Sequence, residues 1–227
     1  MKKFLLVLQC SLLLFSCSRN ADTMVVSGDI DGLKKGWLYL QKLEDSVLIN
    51  LDSTEIRGTG VFSFESEIAH PELFYLYLKK ADNNDINDRI AFFGERGTIS
   101  ITTSWNQFEA DAKVIGSKNH GEFREYKEMI SNFNKRDLEL AQMAFGETDS
   151  LRMDSIETIA ERNYVNRYRY LLNFALSHPN SHVTPYIAIT DGQEANPLYL
   201  DSIYNSLPDS IAQGKYGKVL AQIVTEN

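Results

Sequence analysis

Residues 60–66 read GVFSFES, and their alternation decides the fold class of the first half of the chain. Val61 and Ser63 face one way; Phe62 and Phe64 face the other. A period of two marks a strand with one face in a core and one in water. Gly58-Thr59-Gly60 precedes it as a turn. Working outward, MVVSGDI (24–30), GWLYLQK (36–42), SVLINLDST (46–54), LFYLYLKK (73–80), RIAFFG (89–94), TISITT (98–103) and AKVIG (112–116) are rich in β-branched and aromatic residues. Asp31-Gly32, Glu44-Asp45, the Asp/Asn run 82–88 and Arg96-Gly97 separate them. Short strands with frequent turn signals predict an antiparallel sandwich or partly closed barrel; the β-sandwich over 24–117 is the reading taken, with Phe62, Phe64, Leu76 and Leu78 in its core.

After Ser117 the period becomes helical. Phe123, Tyr126, Ile130 and Phe133 recur at three and four, and Leu138, Leu140 and Met143 continue less regularly. Asp149 or Ser150 can cap a second long helix, with Ile156, Ile159, Tyr164, Tyr168, Leu171 and Leu172 on its stripe and His178-Pro179 at its end. Thr184-Pro185 and Asn196-Pro197 each read as a cap before a proline at the first helical position. A last helix carries Tyr216, Val219, Leu220 and Ile223. Strands followed by helices make the chain α+β, with an α-helical region over 118–227.

The amino terminus, MKKFLLVLQCSLLLFSC, holds both cysteines of the 227-residue chain. Lys2 and Lys3 precede an apolar run too short for a bilayer, which needs ~20 apolar residues. That is the form of a secretory signal peptide. Leu14-Phe15-Ser16-Cys17 resembles a bacterial lipobox. The resemblance implies removal of residues 1–16, lipidation of Cys17, and a tether over 17–23. The removed segment takes two lysines and no acid, so net charge moves from −8 to −10. A net-negative chain without a basic run argues against nucleic acid and against a polybasic grip on anionic lipid. The acyl chains would hold the membrane. The residues after Cys17, Ser-Arg-Asn-Ala-Asp, are not an acidic export cluster, which favours the periplasmic face of the envelope.

The stretches SGDIDGLKKGWLYLQ (27–41), LDSTEIRGTGVFSFES (51–66), FFGERGTISI (92–101) and VIGSKNHGEFREY (114–126) resemble the family called domain of unknown function 4369. HPNSHVTPYIAI (178–189) and GKYGKVLAQI (214–223) are similar to the segment that leads, in longer members, into a thioredoxin-like redoxin domain. The resemblance implies an accessory architecture in envelope lipoproteins of Bacteroides-like bacteria. It carries no redox activity here, because Cys-x-x-Cys occurs nowhere in the chain.

Other candidate chemistry is sparse. Asp82-Asn83-Asn84-Asp85-Ile86-Asn87-Asp88 offers oxygen ligands but departs from EF-hand spacing, so it reads as a solvated hairpin loop rather than a calcium site. His178 and His182 flank a helix-breaking proline without a nearby acid, which is poor zinc spacing. His70 and His120 read as turn residues. No Gly-x-Ser-x-Gly or phosphate loop is present. Trp105-Asn106-Gln107-Phe108 follows a strand without an obvious partner, so Trp105 and Phe108 form the candidate ligand surface. The reading that follows is a non-catalytic, lipid-anchored binding or scaffolding module with no metal or cofactor. Two rivals stand beside it: an accessory subunit of a separately encoded redoxin, and a hydrolase with an unrecognised site.

Overall fold

The computed structural model describes residues 22–80, 88–192 and 196–226. Cys17, its tether up to residue 21, and the 82–88 run apart from the backbone of Asp88 lie outside the described residues.

Eight strands form two four-stranded sheets. They are β1 (Thr23–Asp31), β2 (Lys35–Glu44), β3 (Val47–Arg57), β4 (Val61–Glu67), β5 (Glu72–Lys80), β6 (Asp88–Gly94), β7 (Gly97–Ser104) and β8 (Lys113–Ile115). The first sheet has the order β4-β1-β7-β8 and the second β3-β2-β5-β6. The sandwich is mixed rather than purely antiparallel. β7 lies parallel to β1, with Val26 opposite Ile99 and Gly28 opposite Ile101. The chain reaches β7 from the second sheet, so it need not reverse beside β1 as a hairpin would.

The period-two reading of 60–66 holds. Phe62 and Phe64 are buried between the sheets with Met24, Val26, Ile99 and Ile101, facing Leu38, Leu40, Leu76, Leu78 and Phe92. Asp45 and Ser46 link β2 to β3 in a two-residue hairpin, both with positive φ (46° and 65°). That is the backbone whose twist matches the flanking strands.

β5 explains why LFYLYL shows little alternation. Phe74, Leu76 and Leu78 face the sandwich, while Leu73 and Tyr75 on the opposite face meet the helices. Both faces of this end of the sheet are covered, so both carry apolar groups. The covering layer contains α1 (Lys118–Ala144), α2 (Ser150–Ser177), α3 (Val183–Thr190), α4 (Pro197–Ser206), α5 (Asp209–Ala212) and α6 (Lys215–Glu226). Its core joins Phe93 of β6 to Phe123, Tyr126, Leu171, Ile187 and Leu220. Tyr216 on α6 accepts the Leu73 amide at 3.1 Å, and the Lys215 ammonium bonds Glu72 at 2.5 Å, so the last helix is fastened to the start of β5.

The start of α1 is fixed twice. Ser117 Oγ accepts the His120 amide at 2.9 Å, and the Glu95 carboxylate accepts the amides of Lys118 (2.7 Å) and Asn119 (3.3 Å) as well as the Asn119 side-chain amide. An anion at a helix N-terminus also meets the positive end of the dipole. Asn119 Oδ1 in turn accepts the His182 amide at 3.0 Å, which ties α3 to the same corner.

Three helical expectations need correction. Thr184 is not a cap: α3 begins at Val183, and the Thr184 hydroxyl donates to the His178 carbonyl at 2.6 Å. Pro185 is tolerated because the first four helical amides lack intrahelical partners anyway. Tyr164, placed on the inner stripe of α2, is 54% exposed, and Leu138 of α1 is exposed too. A two-helix hairpin buries only a narrow seam, and these residues lie outside it. His120 is not a turn residue but sits in the first turn of α1. Asp149 and Asn196 cap α2 and α4 as expected.

Candidate functional site

A cleft of about 390 Å³ lies where the outer face of β5 and β6 meets α1, α3 and the segment leading into β8. Its floor is set by cross-strand pairing. Tyr75 of β5 stands opposite Ala91 of β6, and the small alanine leaves room beside the ring. One wall is a single stripe of α1. His120, Phe123, Arg124 and Lys127 are spaced three, four and seven apart, so all four turn the same way. Glu109, Ala112 and Val114 and, from α3, Tyr186 complete the lining.

Polarity is graded through the cleft. His120 is only 8% exposed, and its Nδ1 has no hydrogen-bond partner among the described residues. Burial, helped by the nearby Arg124 guanidinium, lowers its pKa to about 4. The imidazole is therefore neutral at pH 7. Tyr75 and Tyr186 are half-buried, and neither hydroxyl makes a hydrogen bond among the described residues. Burial holds the Tyr75 phenol above its usual range and pushes Tyr186 up to about 12, so both remain protonated donors. At the mouth, Arg124 meets Glu128 at 3.5 Å in an exposed pair, and Lys127 makes no ion pair among the described residues.

A buried polar atom without a partner costs about 1–3 kcal/mol. The His120 Nδ1 is closed off from solvent, so the ring lines the cleft while this nitrogen stays inside the protein.

The sequence-derived candidates lie elsewhere. Phe108 cannot contribute a ligand surface: it is 1% exposed, inside the sandwich core, and Thr103 Oγ1 donates to its carbonyl at 2.7 Å. The bend after β7 leaves the Phe108 ring inward and the Trp105 ring outward. Trp105 stays 40% exposed, but its ring lies against Gly32, and the Lys80 ammonium stands 5.6 Å from its centroid. The two candidates are thus not brought together on one surface. His178 stacks on Phe174 at 4.2 Å, and His182 lies beside His70 with centroids 6.4 Å apart. Among the described residues no group of three or more His, Cys, Asp or Glu side chains could hold a metal. Trp37, Tyr39 and Tyr77 form a stack at 6.3 and 5.6 Å, with the Arg89 guanidinium 4.6 Å above Tyr77. Trp37 remains 43% exposed in this row. No helix among the described residues is long and apolar enough to cross a membrane.

The cleft itself had one signal in the sequence. HGEFREYK (120–127) places His, Phe, Arg and Lys on one helical face. A stripe that runs from a buried histidine to two cations is unusual for a purely core-facing helix.

Residues 24–123 match the model of a domain of unknown function, DUF4369. The matched region covers the sandwich and the first turns of α1, including His120 and Phe123. No curated protein matches the chain.

Proposed function

We propose that this chain is a non-catalytic binding module of the cell envelope, anchored through a lipidated Cys17 after removal of residues 1–16, and that its ligand occupies the cleft between the sandwich and the helices. One observation carries the binding reading: a cleft of about 390 Å³ whose apolar walls are joined by a neutral imidazole, two tyrosines and two cations. Small-molecule sites commonly span about 300–1,000 Å³ and combine apolar walls with a few polar groups. Binding rather than turnover fits the chemistry of His120. A base held near pKa 4 has little proton affinity at pH 7 and makes a weak general base. The lipobox resemblance at Leu14–Cys17 supports the anchor, and the residues that follow support the periplasmic face.

The test is extraction of small molecules from protein purified out of its native envelope, followed by mass spectrometry. Wild-type protein should release a compound that Ala112→Trp, which fills the cleft, does not. Identical extracts from both proteins would refute the reading.

A further inference from the structure

We infer that the ligand of the sandwich–helix cleft is a compact monocarboxylate with an apolar body, its carboxylate at the α1 end of the mouth. The inference rests on the binding reading above and adds the ligand class.

Size and walls limit the body. A cleft of about 390 Å³ lies near the low end of small-molecule sites, and Phe123, Val114 and Ala91 give it apolar sides.

Charge fixes the end group. Arg124 and Lys127 stand one turn apart on the stripe of α1 that lines the cleft. Arg124 has only a long, exposed contact with Glu128, and Lys127 has no acidic partner among the described residues, so both cations are available to an anion. An ammonium at this end would meet two like charges. Glu109 also lines the cleft and sets the opposite condition. A second anionic group would add the repulsion of its carboxylate, which favours a ligand with one negative charge. The interior is matched to such a molecule too. Its polar groups, the Tyr75 and Tyr186 hydroxyls and the neutral His120 imidazole, carry no charge and so leave the carboxylate to the cations at the mouth.

Three probes of one shape test the class: 4-phenylbutyrate, 4-phenylbutanamide and 4-phenylbutylamine. Each is titrated calorimetrically into the purified full chain, with a protein-free detergent blank. The acid should bind about tenfold tighter than the amide, as expected for two partly exposed ion pairs acting together. The amine should be weakest. The Arg124→Gln, Lys127→Gln double variant should bring the acid to the affinity of the amide and leave the amide unchanged. Ala112→Trp, and Val114→Trp as a second obstruction from β8, should remove binding of all three while a denaturation curve shows the fold intact.

Amide or amine binding as tight as the acid, still blocked by Ala112→Trp, overturns the carboxylate class and leaves the cleft as a binding site. Failure of all three probes at millimolar concentration overturns the class as well, while the extraction experiment judges the binding reading independently.

Discussion

Acidification should destabilise this protein through His120 in a defined window. The side chain is buried with its Nδ1 unpartnered, and its pKa falls from 6.5 in the unfolded chain to about 4 in the fold. Between those values the unfolded chain binds a proton that the folded chain refuses, so stability drops as pH falls. The contribution is intact above pH 6.5 and lost progressively down to pH 4. From pH 7 to pH 5 the loss works out at about 2 kcal/mol. For a chain of this size that lowers the melting temperature by roughly 4–8 °C. His182, also lowered by burial and by its neighbour His70, acts in the same direction. Carboxylates titrate as well, so the informative quantity is the difference between wild type and His120→Gln. Urea titrations at pH 7, 6 and 5 should give curves for the two proteins that diverge by about 2 kcal/mol, the variant losing less. Parallel profiles, within ~0.5 kcal/mol across the range, would mean that His120 is not held neutral by burial.

Other outcomes follow from the packing and the caps. Phe64→Ala and Phe108→Ala should each cost about 3–5 kcal/mol in denaturant titrations, whereas Trp105→Ala should cost clearly less, because only the first two rings are fully enclosed. Glu95→Ala should destabilise by about 1–2 kcal/mol and increase hydrogen exchange at the amides of Lys118 and Asn119, which lose their acceptor. Cys17→Ser should abolish incorporation of a fatty-acid analogue and move the protein from the membrane fraction to the soluble one; Cys10→Ser should do neither. Labelling that persists in the Cys17 variant would refute the anchor.

What the sequence discloses depends on how local the deciding physics is. Phe62 and Phe64 announce their face because alternation is a property of neighbouring residues, and Ser117 marks the change of period because it also caps α1. The pairing of β1 with β7 is different. Nothing between Met24 and Ser104 distinguishes a parallel partner from an antiparallel one, since the outcome depends on where a distant strand enters the sheet. LFYLYL is ambiguous for a related reason: its outer face is apolar only where helices more than forty residues away come to rest on it. In Trp105-Asn106-Gln107-Phe108 both rings have the chemistry to be buried. The turn admits one, and the sequence carries no preference that singles out Phe108. The candidate site is the least legible part. Its stripe on α1 is visible at 120–127, but the cleft exists only because Ala91 sits opposite Tyr75 and the strand β8 segment stands across from it.

The most direct test of the central claim is a heteronuclear NMR titration of the protein with 4-phenylbutyrate. Amide and methyl shifts should concentrate at Tyr75, Ala91, Ala112, Val114 and Phe123, and the His120 ring resonances should move with them. Shifts gathered instead on the Trp37–Tyr39–Tyr77 stack, or spread thinly over the surface with His120 unmoved, would contradict a binding cleft between the sandwich and the helices.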